Sequence, residues 1–225
     1  MRKIIVVDFE TTDKTPETCS PCQIGAIVID PMTLQFVPGS EFNSMMRPDE
    51  ARINADTLKW HANLNKTTEA EILKRWREAP PQKQVWLDFA KYTERYNLNP
   101  AKPTMTGSPI LAGFNVLAYD CVIMEELSRM YGTVNKEGKC NLFFRRDTLD
   151  LMKHMWWWFE NNPDITSYTL DNLRDYFGLS KDNAHDAFQD VVDTGILVMK
   201  FIQLHRYLAP KVKFKDSCKS KVLNG

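Results

Sequence analysis

The chain has no surplus of charge: 29 lysines and arginines balance 29 aspartates and glutamates over 225 residues. It therefore has no global basic field, which argues against tight, nonspecific duplex binding driven by counterion release. A nuclease remains open, because carboxylates that hold divalent ions create their own positive centre for a phosphate. No apolar run approaches membrane-spanning length and the N-terminus lacks a secretory pattern, so no membrane partner is expected and a cytoplasmic location follows by default. Cysteine is scarce, at five residues. Cys19 and Cys22 form one Cys-x-x-Cys, but a zinc knuckle needs a second close pair, and Cys121, Cys140 and Cys218 are scattered. Reduced, structural cysteines are expected.

What the chain does have is apolar material, 43% hydrophobic residues with 12 Phe, 7 Tyr and 6 Trp, enough for one good core. The stretch that organises it is Lys3 to Phe9. Its β-branched run is too short for a helix and reads as a buried strand. The strand runs into Asp8-Phe9-Glu10. Alternation puts Asp8 and Glu10 on one face and Phe9 on the other. Two like charges at the end of a buried strand are costly unless a cation neutralises them.

A second strand is expected over Gln23–Asp30 and a third over Leu34–Met46, paired antiparallel through short connections. Residues 54–97 change character. Thr57–Leu64 has helical spacing, Thr67-Thr68 offers a cap for a helix carrying Ile72, Leu73 and Trp76, and Pro80-Pro81 breaks it. Val85, Phe89, Tyr92 and Tyr96 then form an amphipathic stripe. Strands are expected again at Ile110–Phe114 and Leu142–Asp147, with helices at Leu117–Tyr131, Thr148–Glu160, Thr169–Phe177 and Asp186–Leu208. Hairpin-linked strands followed by crossover units imply an α/β fold: a mixed five-stranded sheet with helices on both faces. Residues 1–208 read as a single domain with a helical insertion at about 54–109, and 209–225 as a basic tail. The Met155–Phe159 run, with three successive tryptophans, reads as packing, because successive helical residues point in different directions.

Three stretches carry candidate chemistry. Asp8 and Glu10 end the first strand. Asp120 starts the helix after the Ile110–Phe114 strand, preceded by Asn115, whose expected role is a helix cap with substrate contact as the alternative. His185 precedes the last helix, and Asp190 lies more than a turn inside it; Asp186 and Asp193 read as capping or surface charges. Four carboxylates suit a pair of divalent ions that clamp a phosphodiester, and a histidine titrating near neutrality suits removal of a proton from water.

The set Asp8-Phe-Glu10-Thr, Asn115-x4-Asp120 and His185-x-Ala-x-x-Asp190 resembles the three motifs of the DEDDh, or DnaQ-like, 3′→5′ exonucleases. Gln23-Ile-Gly-Ala, Arg146-Asp-Thr-Leu-Asp150 and Tyr168-Thr-Leu-Asp-Asn-Leu-Arg174 resemble neighbouring stretches of that family, so the likeness runs over most of residues 3–205. It implies a ribonuclease H-like fold. It also implies metal ligation by Asp8, Glu10, Asp120 and Asp190, with two Mg2+ ions that Mn2+ can replace and Asp8 bridging both, and His185 as general base. Phe9, Thr11 and Asn115 would meet the terminal nucleotide. Many members have histidine where Phe114 stands, a difference that falls on the substrate groove. The insertion, with Thr57-Leu-Lys-Trp60 after Arg47-Pro48, most resembles a stand-alone branch of the family in T-even-like bacteriophages, which would place the chain in a host cytoplasm. The implied activity is release of 5′-mononucleotides from single-stranded DNA. An exoribonuclease and a proofreading or nucleic-acid-binding module of a replication complex are the alternatives. No protein partner is indicated.

Overall fold

The computed structural model describes residues 1–181 and 185–211. Asn183 and Ala184 of the third motif, and the basic tail from 212 on, lie outside the described residues.

The sheet is mixed and centred on β1 (Ile4–Thr11). β2 (Pro21–Asp30) pairs with it antiparallel, and β5 (Ile110–Gly113) pairs parallel on its other side, followed by β6 (Leu149–Asp150). β3 (Gln35–Phe36) and β4 (Phe42–Met45) both pair with β2, giving six strands. The continuous strand expected over 34–46 is thus two pieces. Pro38 lacks an amide and Gly39 has φ of 70°, so the ladder is interrupted there. The Ser40 hydroxyl accepts from the Val28 amide, replacing a lost strand bond.

The helices lie on both faces. Ile5, Val7 and Phe9 point to one core, shared with Val85, Trp86 and Phe89 of α3 (Gln82–Glu94) and Ile123, Met124 and Leu127 of α4 (Asp120–Tyr131). Ile4 and Val6 point to the other core. There they meet Leu151 and Met155 of α5 (Leu151–Phe159), Leu173 of α6 (Leu170–Phe177), and Val191, Leu197 and Val198 of α7 (Ala187–Leu208). Within the insertion, α1 (Ala55–Leu64) and α2 (Glu69–Glu78) close a small third core over Cys22. Thr68 caps α2 as expected, Thr169 caps α6, and Gly132 and Gly178 end α4 and α6 in the left-handed region.

The strand expected at Leu142–Asp147 is not there. Leu142 and Phe143 both bury into the same core, which adjacent residues of a flat strand cannot do. A 3-10 turn covers Arg145–Asp147 and pairing starts only at Leu149. In the tryptophan run, Trp158 packs with Phe201, whereas Trp156 and Trp157 are exposed. The Cys-x-x-Cys splits between two cores as free, buried thiols. Burial pushes the Cys19 thiol up to about 11, so little thiolate is present at neutral pH.

α7 crosses β2 at Gly25. A Cβ there would stand 2.6 Å from the Ala187 carbonyl oxygen and 2.7 Å from its carbon, both backbone atoms. Gly25→Ala should therefore destabilise the chain by roughly 1–3 kcal/mol, as overpacking does, and displace the start of α7. Denaturant titration checks this; an unchanged midpoint would mean that α7 does not approach the sheet this closely.

Candidate active site

The strand alternation that buries Val6 continues into Asp8 and Glu10, which therefore face α7. Asp190 lies in the first turn of α7, and Asp186 caps that helix by accepting from the Phe188 and Gln189 amides. One carboxylate oxygen each from Asp8, Glu10 and Asp190 lie within 4.8 Å of one another. Asp120 is outside that trio. It is the first residue of α4, 2% exposed, and its Oδ1 accepts from the Phe9 amide at 3.1 Å. It thus fastens α4 to β1 between the two acidic residues of that strand.

The charges repel. Burial, then Asp120, Glu10 and Asp190, hold the Asp8 carboxyl well above its ordinary range. Burial and the charges of Asp190 and Asp186 do the same for Glu10. Burial raises Asp120 to about 7, with a further push from Asp150. Asp190 is also raised by burial, against the opposing pull of Arg174. Several hard oxygen donors, mutually repelling and set at a strand end, form a donor set that suits magnesium or manganese.

Asp190 is held rigidly. Its Oδ1 accepts from Arg174 Nη2 at 2.7 Å and from the His185 amide at 3.0 Å. Arg174 is fully buried and also donates to Asp193 and Asp171. Asp193, expected at the surface, is 3% exposed because it is a partner of this guanidinium. The sequence places Tyr168–Arg174 at the start of a short helix and in a family-like stretch, without giving Arg174 a role.

His185 has φ of 67°, an uncommon conformation for a residue other than glycine, of the kind that clusters at functional sites. Its Nε2 stands 3.3 Å from Asp171 Oδ2, and its ring meets Trp60 of α1 edge-on with centroids 5.1 Å apart. Trp60 also contacts His61, which is buried against Trp76 and bonded through Nε2 to the Thr11 carbonyl at 3.0 Å. Burial lowers the His61 pKa, so this ring is the neutral donor to that carbonyl. The insertion therefore grips both the end of β1 and the candidate base, whereas sequence spacing suggested packing alone.

Two openings flank Glu10. A recess of about 250 Å³ lies among Thr11, Thr57, Trp60 and Tyr119. A groove of about 980 Å³ runs past His61, Lys66, Arg75, Lys181 and His185. Phe9 edges the recess but is only 5% exposed, packed in the core; its amide is already taken by Asp120. The Thr11 hydroxyl is engaged with the Tyr119 hydroxyl and the Asp13 carbonyl. Asn115 has φ of 56° in the loop before α4, and α4 has no side-chain cap, so the expected capping role is absent.

A model of the 3′-5′ exoribonuclease Rv2179c-like domain matches residues 3–194. No curated protein matches the chain. Among solved structures, cell-death related nuclease 4 (CRN-4) is similar with a TM-score of 0.65 and 15% identity, over 91% of this chain and 64% of that one. E. coli exonuclease I in complex with a dT13 oligonucleotide gives a TM-score of 0.66 and 15% identity, over 94% and 43%. A 3′-exonuclease described by its 3′-end specific recognition of histone mRNA stem-loop gives 0.60 and 14%, over 90% and 82%. The chain thus spans less than two thirds of the first two. At these identities the likeness is one of fold, and it agrees with the ribonuclease H-like sheet expected from the motifs. Among the described residues no helix is long and apolar enough to cross a membrane.

Proposed function

We propose that this chain, which belongs to the family of 3′-5′ exoribonuclease Rv2179c-like domains, is a metal-dependent exonuclease that removes 5′-mononucleotides from single-stranded 3′ ends. Residues 1–208 would act as one exonuclease domain. The observation that carries the reading is the meeting of Asp8, Glu10 and Asp190 oxygens within 4.8 Å, beside a recess and an imidazole. Asp8, Glu10, Asp190 and the adjacent Asp120 would hold two Mg2+ ions, with Mn2+ as a substitute; when bound, these would supply water activation and charge stabilisation at the scissile phosphate. The chain's own contributions are separable. His185 takes the proton of the attacking water. The recess beside Thr11, Trp60 and Tyr119 receives the terminal nucleotide, with the edge of Phe9 at its border; Asn115, outside that lining, would meet the substrate from the loop before α4. The cations Lys66, Arg75 and Lys181 line the groove along which phosphates would run.

Single-stranded DNA is the substrate class that the sequence motifs favour, and the stand-alone phage exonuclease A remains the finer likeness on which that rests. A specific observation favours a second reading: the matching family is described as an exoribonuclease. End-labelled DNA and RNA oligonucleotides of one sequence, digested with and without Mg2+, test both. Mononucleotide release from the 3′ end is expected only with metal, and the faster of the two substrates fixes the sugar. Endonucleolytic products, or equal turnover in chelator, would reject the proposal.

A further inference from the structure

One buried guanidinium serves two candidate catalytic groups at once. Arg174 is fully buried and directs three different nitrogens to three carboxylates: Nη2 to Asp190 Oδ1 at 2.7 Å, Nε to Asp193 Oδ2 at 2.7 Å and Nη1 to Asp171 Oδ1 at 2.9 Å. Asp193 is also bonded, through Oδ1, to the Gln189 side-chain amide at 2.9 Å. Asp171 then turns its other oxygen, Oδ2, toward His185 Nε2 at 3.3 Å. The same Asp190 oxygen that meets Arg174 accepts the His185 backbone amide at 3.0 Å. A closed ring results: Arg174 to Asp190 to the His185 main chain, and Arg174 to Asp171 to the His185 ring.

We infer that Arg174 and Asp171 are positioning residues that fix Asp190 and His185 as one unit, with Asp171 holding the imidazole so that Nδ1 is the atom free to accept a proton. A carboxylate acts only as an acceptor, so the nitrogen it faces carries the hydrogen, and the neutral ring then keeps its lone pair on the other nitrogen. Guanidinium is the group suited to this place, because its planar fork presents several donors in fixed directions; a lysine would offer one point charge. Trp60 also meets the imidazole edge-on, with centroids 5.1 Å apart. The ring is held although its backbone lies in the left-handed region, a conformation that persists where surroundings over-determine it. α6, which carries both positioning residues, thereby becomes part of the site without touching the recess beside Trp60.

The inference rests on the proposed nuclease activity for its kinetic consequence, but its geometry is testable without turnover. Imidazole 15N–1H spectra of the full-length, metal-free chain, recorded with the ring neutral, should show His185 as a single Nε2–H tautomer. Asp171→Asn should convert it to a mixture. In steady-state digestion with Mg2+, Asp171→Asn should lower kcat roughly 10–100-fold, the usual scale for partners that orient a site's ligands, with KM within about twofold. Arg174→Lys should lower kcat further and also weaken Mn2+ binding measured by calorimetry, with the helical circular dichroism unchanged. Both tautomers in the wild-type protein, or wild-type kcat in Asp171→Asn, would overturn the positioning role. A wild-type chain with the single tautomer but no nuclease activity would instead reject the proposed function and leave the positioning intact.

Discussion

Asp8→Ala and Asp190→Ala are each expected to lower exonuclease turnover by roughly 10³-fold or more, equivalent to about 4 kcal/mol of lost barrier reduction. Both residues contribute an oxygen to a place where three carboxylates meet within 4.8 Å. The two variants should nevertheless differ in stability. Asp8 has no counter-ion in contact among the described residues, and its charge is opposed by burial and by Asp120, Glu10 and Asp190. Removing it relieves repulsion, so metal-free Asp8→Ala, and still more the isosteric Asp8→Asn, should melt at or above the wild-type temperature. Asp190 is instead a partner of the buried Arg174. Asp190→Ala leaves one guanidinium edge without its acceptor and should cost about 1–3 kcal/mol, even though Asp193 and Asp171 remain. Thermal melts beside mononucleotide release check the pair. Retained turnover in Asp8→Asn would remove the carboxylate centre from the mechanism. Destabilisation by that variant equal to that of Asp190→Ala would mean that Asp8 has a structural partner.

The contrast between Asp8 and Asp190 also marks what could be read from the letters. Period-two alternation is a local rule, so the shared face of Asp8 and Glu10 was available from β1 alone, and the parallel placement of β5 brought Asp120 beside them. The long final helix was likewise enough to put Asp190 against the sheet, although α7 starts at Ala187 and Asp190 therefore lies in its first turn rather than more than a turn inside. Arg174 could not be assigned this way. Its role depends on the packing of α6 against α7, and nothing in a helical arginine specifies that it is fully buried among three carboxylates. Trp60 and His61 show the same limit: their spacing fits a packing face, and only the folded insertion reveals contact with His185 and the Thr11 carbonyl. The edge strands depart from the sequence pattern for another reason. Pro38 and Gly39 interrupt a ladder whose apolar pattern runs on, and Leu142-Phe143 is apolar without alternating.

The second large effect is a reversal of the pH dependence of stability by divalent metal. In the metal-free fold Asp8, Glu10 and Asp120 all titrate above their unfolded values, Asp120 at about 7 against 3.8. Between those limits the folded chain binds more protons than the unfolded one, so stability falls as pH rises through the window and recovers as the carboxyls are protonated. Asp120 alone makes this on the order of a few kcal/mol. Asp190 adds less, because Arg174 opposes its upward shift. A divalent cation replaces those protons. Near pH 8 it should stabilise the fold by about 2.7 kcal/mol at a hundredfold excess over its dissociation constant and so raise the melting temperature, while near pH 5 it competes with protons and should do little. Melts at both pH values, with chelator and with Mg2+, decide the matter, and Asp8→Asn should flatten both the pH dependence and the response to metal. Metal-free stability that climbs steadily from pH 5 to 8, or a melting point at pH 8 indifferent to Mg2+ and Mn2+, would mean that these carboxylates neither repel as their burial requires nor share a cation.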